Sequence, residues 1–268
     1  MASDRAWRNS TGRPLSDPHW LKVHHLAKEQ ERAAFARRLA AYRPKRVVDL
    51  GCGAGDWLSS LNKVLPEDCE LVGVDSDKDS LARVHERSLK WNRQTRTVHC
   101  DFVAQLDCIP DADLILLFNM ASFVAGPLEL LSSIRHQSPS ALLAIRQYDG
   151  ATIRYGPMAE SQRSSLENAL RASLMASGQF DHYSMDRTLR AIHESPFANK
   201  SVEFELYWRL APFSDAEAEY YELSLDWLHD HISEDLQREL TLWRQREAAI
   251  SGNSPAYMCE VELVALMS

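Results

Sequence analysis

Three glycines alternate with small residues in Gly51-Cys52-Gly53-Ala54-Gly55, directly after the apolar run Val47-Val48-Asp49-Leu50. Glycine has no Cβ, so a chain turning sharply there can bring its backbone against a ligand that any side chain would block. The helix expected beyond the loop offers free N–H groups. Such a loop binds something nucleotide-like. The dinucleotide-binding spacing is G-x-G-x-x-G; here the third glycine comes one residue early, and Asp49 stands two residues before the first. A pyrophosphate beside that carboxylate would be repelled, whereas a ligand carrying an ammonium group would be attracted to Asp49 or to water ordered by it.

The loop needs a strand before it and a helix after it. Arg46 to Leu50 reads as a buried strand bounded by turn residues, and Asp56 to Val64 as a helix that Pro66 ends. Further strands are expected at Glu70–Asp75, Thr95–Cys100, Asp113–Phe118 and Ala141–Ile145, with helical spacers between them. Ser76 with Asp79 three residues on has a capping-box pattern, opening the helix after the second strand. Alternating strands and helices with short links predict a doubly wound parallel sheet, covered on both faces. Residues 26–39 read as an amphipathic helix.

The last third of the chain differs. A helix from about Met158 to Ala176 stops at Gly178, and Leu189 to Lys200 is irregular. Val202 to Trp208 alternates apolar and mostly polar residues, as an antiparallel strand would. Ser214, with Glu217 three residues later, caps a helix carrying Tyr220, Tyr221, Leu225, Trp227 and Leu228; a helix from Glu234 to Ile250 and a strand from Tyr257 to Met267 follow. The expectation is one domain: a helical cover over 1–44, a cofactor-binding core over 45–213, a helical insertion over 214–252 and a last strand within 253–268.

The loop and the stations after it resemble the class I S-adenosylmethionine-dependent methyltransferases. The likeness runs from Pro44 to Ile145, through Asp49 to Gly55, Asp75, Asp101-Phe102 and the Asp113 to Phe118 strand. It implies a Rossmann-like, seven-stranded α/β sheet and S-adenosylmethionine as cofactor, leaving as S-adenosylhomocysteine. It places Asp49, Gly51, Cys52, Gly53 and Ser76 along the cofactor. Asp75, ending the second strand, would accept the ribose hydroxyls. Asp101 and Phe102 would hold the adenine, although Phe102 also reads as core filling. Asn119 would lie near the methionine portion or would be a turn asparagine.

Methyl transfer requires an aligned nucleophile, exclusion of water and a route for any proton the acceptor loses. The polar run Arg146-Gln147-Tyr148-Asp149-Gly150 leaves the fifth strand, so Tyr148 and Asp149 are expected to orient an acceptor or relay a proton, the alternative being a turn closed by Asp149-Gly150. With Arg154-Tyr155-Gly156-Pro157-Met158 this run is similar to actinobacterial natural-product methyltransferases, including enzymes that methylate indole carbon or nitrogen. His193 is a candidate base, its ordinary pKa lying near neutrality. Of His24 and His25, which point about 100° apart on a helix, His24 is assigned to closing over the cofactor. His229 and His231 are expected to face water. Trp20, Phe123, Tyr155, Trp208, Tyr221 and Trp227 supply the aromatic surface that a flat acceptor would stack on. No metal is expected, since no His-x-x-x-His or clustered carboxylate spacing follows the strands.

Composition narrows the partners. The 268 residues are 45% hydrophobic and 25% charged, an ordinary globular balance, and the net charge of −8 argues against phosphate backbones as ligands. The charge is uneven: residues 1–46 carry 11 Lys or Arg against 4 Asp or Glu, and 213–262 carry 3 against 12. No stretch approaches about 20 uncharged apolar residues and the opening has no apolar core, so a cytoplasmic protein without membrane role is expected. The five cysteines form no Cys-x-x-Cys pair and read as reduced packing residues. These readings converge on methylation of a small aromatic metabolite by a monomer or homodimer, indole C- or N-methylation ahead of phenol O-methylation. The competing readings are a non-catalytic cofactor-binding regulator and a nicotinamide-dependent oxidoreductase, which would need the other glycine spacing.

Overall fold

A computed structural model describes residues 17–150, 154–178, 183–247 and 255–268. In chain order its elements are α1 (Pro18–Ala27), α2 (Glu29–Ala40), β1 (Arg46–Leu50), α3 (Asp56–Asn62), β2 (Glu70–Asp75), α4 (Lys78–Ser88), β3 (Thr95–His99), β4 (Leu114–Phe118), α5 (Pro127–Gln137), β5 (Leu142–Tyr148), β6 (Arg154–Gly156), α6 (Glu160–Ala176), α7 (Asp186–Glu194), β7 (Lys200–Leu210), α8 (Asp215–His229), α9 (Glu234–Glu247) and β8 (Tyr257–Met267). Two units, interleaved along the chain, divide them. The sheet unit comprises Glu29–Gln147, Met185–Phe204 and Leu263–Ser268; the described residues of the aromatic unit fall within Met1–Lys28, Tyr148–Ser184 and Glu205–Glu262.

In the sheet unit the strand order is β3-β2-β1-β4-β5-β8. β1 pairs in parallel with β2, Asp49 opposite Gly73, and with β4, Asp49 opposite Leu116. Val47, Val48, Leu50 and Leu114 to Leu117 are fully buried, which is why these parallel strands read as unbroken apolar runs. Each such side chain contributes about 1.5–3 kcal/mol of burial. The order reverses between β1 and β4, and that reversal opens a crevice beyond the carboxyl ends of the strands, where the glycine loop lies.

The segment behind that loop is fastened at its far end. Arg93 donates to Asn62 Oδ1 (2.7 Å) and to the carbonyls of Asn62, Leu65, Pro66 and Cys69 at 3.0 to 3.3 Å. One guanidinium thus ties the last residue of α3 to the loop that follows it.

In the aromatic unit, β6 pairs antiparallel with β8, Tyr155 opposite Met258. Ser214 and Glu217 form the expected capping box on α8, and Gly178, left-handed at φ 70°, follows α6. Among the described residues no helix is long and apolar enough to cross a membrane.

The Rossmann-like α/β sheet forms as expected, with Arg154–Gly156 adding a short further strand, β6. Several other expectations are corrected. The cap of α4 is Asp77, not Ser76: its carboxylate accepts from the N–H groups of Asp79 (3.1 Å) and Ser80 (3.3 Å). The stretch expected to be irregular contains α7, whose Thr188, Ala191 and Ile192 are buried while His193 and Glu194 face out. Cys100 and Cys108 are joined in a disulfide across the turn after β3; the spacing forms no motif, so only the fold reveals the approach. His231 is buried, not solvated, its Nδ1 2.8 Å from the Trp227 carbonyl and its ring against Trp227. Residues 248–250 of the expected last helix and 1–16 of the expected cover lie outside the described residues.

β7 is inverted relative to the usual rule. Tyr207 is buried and donates to the Ala27 carbonyl (3.1 Å), Arg209 is paired with Glu217, and Glu203 with Arg38. The apolar alternates Val202, Phe204, Leu206, Trp208 and Leu210 are 39 to 61% exposed. The alternation was read correctly; the face it turns inward is the polar one.

Candidate active site

The sheet unit assembles the glycine loop at the end of β1. Gly51 and Cys52 both donate to the Val74 carbonyl, at 2.8 and 3.1 Å, so the loop folds back against the end of β2. Gly51 is left-handed at φ 72°, and a Cβ there would meet Met120 at 2.5 Å; Gly55, at φ 80°, would strike Val84 at 2.9 Å. Both positions demand glycine. Cys52 is buried, and burial pushes its thiol well above the ordinary range, so it is inert packing.

Two carboxylates face this loop. Asp75 accepts from Gly53 N–H (2.8 Å) on Oδ2 and Asp77 N–H (2.9 Å) on Oδ1, which fixes its orientation and leaves lone pairs on both oxygens. Desolvation raises its pKa, against those bonds. Asp49 is buried, and burial with Asp75 nearby pushes it up to about 7. Among the described residues neither carboxylate is ion-paired with a side chain. A buried negative charge without a protein cation is costly, and a cationic ligand would relieve it.

The other cofactor candidates in this unit are placed as follows. Ser76 is exposed, and its carbonyl faces His99 Nε2 at 3.1 Å. Asp101 Oδ1 accepts from Val103 (3.1 Å) and Ala104 (3.3 Å), shaping the turn after β3, while Phe102 is buried in the apolar core with Val48 and Leu50. The Cys100–Cys108 bridge spans that turn. Asn119, just past β4, is left-handed at φ 54° and donates its N–H to the Arg146 carbonyl (2.7 Å). Left-handed backbone in a residue other than glycine concentrates at functional positions. Phe123 is half-buried in a 3-10 turn over Ala121–Phe123. His193 stands exposed on α7.

The aromatic unit collects the remaining candidates. Tyr148 lies 5.5 Å from His24, ring to ring, and His24 stacks with Trp20 at 6.5 Å. Burial drives the Tyr148 phenol well above its ordinary pKa, so it holds its proton and offers a hydrogen bond. Asp149 is buried, and its N–H donates to the Val261 carbonyl (2.9 Å). Tyr155 packs against Tyr221 (5.7 Å), and Tyr155 and Trp227 line one groove with Met158, Arg163, Glu167 and Leu166. The groove encloses little more than one water molecule. Trp208 does not join them, being on the exposed face of β7.

Sequence reading missed one cluster. Glu260 and Glu262 are buried on β8, and the Lys28 ammonium contacts Glu260 and lies 2.5 Å from Glu262 Oε1. His24 Nε2 is 4.0 Å from Glu260 and the Tyr220 hydroxyl donates to Glu260 (2.9 Å). His24, Glu260 and Glu262 have the donor types of a metal site, but the lysine takes the place a cation would occupy. Two acids two apart in an apolar strand were the available signal: they share a face, and a core face needs a cation for them.

The family described as "Methyltransferase domain" matches residues 47–136. The chain is similar to trans-aconitate 2-methyltransferases, 39% identical over 72 residues in that of Rhodopseudomonas palustris (strain BisA53), 25% of this chain and 28% of that one. With that of Rhodococcus jostii (strain RHA1) it is 33% identical over 113 residues, 42% of this chain and 41% of that one. The chain thus spans about two fifths or less of the length of these curated relatives. A putative methyltransferase from Bacillus halodurans C-125 superposes with a TM-score of 0.52 at 15% identity, covering 88% of this chain and 97% of that one, a likeness of fold. Residues 47–136 thus carry the likeness to a methyltransferase domain, and the fold of the chain agrees with it.

Proposed function

We propose that this chain transfers the methyl group of S-adenosylmethionine to a small aromatic metabolite, an indole carbon or nitrogen ahead of a phenol oxygen. The observation that carries the cofactor is the buried, uncompensated Asp49 beside Asp75 at the strand-order reversal. Asp75 would accept the ribose hydroxyls, the Gly51 to Gly53 backbone would lie along the ligand, and Asp49 would answer its positive charge. When bound, the cofactor supplies an electrophilic methyl on a sulfonium. Tyr148, kept protonated by burial, would orient the acceptor by donating a hydrogen bond, and Asp149 would take the proton an acceptor loses. The groove of Tyr155 and Trp227 favours a flat acceptor, admitted by side-chain rotation.

A second reading has its own observation. The matched relatives are named for trans-aconitate, a carboxylate-bearing acceptor, and Arg163 stands in the same groove. Labelled cofactor incubated with indoles, phenols and small polycarboxylates, read by mass spectrometry, separates the two. Label on an indole is expected; label only as a carboxylate ester would replace the aromatic reading. S-adenosylhomocysteine should raise the melting temperature by several degrees and NAD should not, as mass action on the folded state requires. The opposite pattern would favour the oxidoreductase. Binding with no turnover on any acceptor would favour the regulator.

A further inference from the structure

Along the one continuous strand β7, five successive outward positions are occupied by Val202, Phe204, Leu206, Trp208 and Leu210, 39 to 61% exposed. No polar side chain interrupts the row. β7 has β8 as its ladder neighbour among the described strands, and its inward face is already engaged through Tyr207, Arg209 and Glu203. The row exposes on the order of 600 Å² of apolar surface, the top of the range that monomers tolerate. We propose that this face is an interface with a second copy of the same chain, packed β7 on β7 about a two-fold axis through Leu206.

Three properties select a second copy as the occupant. The row reads aliphatic, aromatic, aliphatic, aromatic, aliphatic in both directions, so an antiparallel two-fold sets Val202 opposite Leu210, Phe204 opposite Trp208 and Leu206 opposite itself. Such self-complementarity is what an isologous interface needs. Two rows together would bury about 1,200 Å², the lower bound of standard interfaces. Charge is absent from the centre and two aromatic anchors lie within it, as in the cores of stable interfaces.

Sedimentation of the full chain from about 1 to about 100 µM tests this. A dimer is expected, and Leu206→Glu, which sets two carboxylates against each other on the axis, should weaken it about 100-fold or more. Leu206 is exposed, so the variant should fold, checked by circular dichroism; Leu242→Glu, on the exposed face of α9, should leave the dimer intact. Leu206→Cys should cross-link to its own copy on oxidation, whereas Val202→Cys, about 26 Å from its counterpart by strand rise, should not. A monomer throughout the range, a dimer that survives Leu206→Glu, or cross-linking through Val202→Cys in place of Leu206→Cys would overturn the proposal.

Discussion

Two pairs of acids treat their charge in opposite ways. In the aromatic unit, Glu260 and Glu262 hold Lys28 between them, with the Tyr220 hydroxyl on Glu260. In the sheet unit, Asp49 and Asp75 face the glycine loop without an ion pair among the described residues, and Asp49 is pushed up to about 7. A cluster that serves the fold completes itself from within the chain. A cluster that serves a ligand is left with a charge to be answered from outside, and the fold tolerates the cost.

The largest effect should come from breaking the self-completed cluster. Lys28→Met leaves two buried carboxylates without their cation and should lower stability by about 3–5 kcal/mol in urea unfolding. A loss under about 1 kcal/mol would show that the two clusters are not different in kind.

Asp49→Asn should do the reverse. The folded-state pKa of Asp49 is raised from 3.8 to about 7, so the native protein binds this proton more tightly than the unfolded chain does. Stability of the cofactor-free protein is therefore lost as pH rises from about 4 to about 7, and the loss is complete above that. The asparagine should abolish this slope and gain up to about 4 kcal/mol at pH 8, measured by urea unfolding across that range. An unchanged slope would mean that Asp49 is compensated after all.

Asp75→Ala should weaken S-adenosylhomocysteine binding about 10- to 100-fold by titration calorimetry, as expected for hydrogen bonds to a charged group. Affinity that does not move would remove Asp75 from the ribose role. Tyr148→Phe should cost roughly tenfold in kcat, and His193→Ala, exposed on α7, should cost nothing measurable. A large loss with His193→Ala would return the base to that position.

The two regions were also unequally legible. The loop, β1, β2 and β4 could be read because parallel strands buried on both faces are continuous apolar runs, and because glycine spacing reflects backbone geometry directly. Asp75 followed from its position at a strand end. The Lys28 cluster could not be read in the same way, since Lys28 and the glutamates it joins are more than 200 residues apart in sequence and meet only in the folded chain. Local signals also misled by small margins. Asp77 displaced Ser76 as the cap, its carboxylate accepting from Asp79 and Ser80 one residue further along. β7 has the expected period, but periodicity does not say which face is turned inward, and here ion pairs through Glu203 and Arg209 held the polar one. The disulfide gave no signal, because seven residues between cysteines fix no turn.

A loop built from three glycines has no stiffness of its own, so its shape must be borrowed from what it joins. On the helix side that loan runs through Arg93, whose planar fork reaches five acceptors at the end of α3. A lysine in that place would keep the charge and lose the fork. The crevice would then blur without any change in the residues that line it, and ligand affinity would decline from a position 38 residues beyond the last glycine.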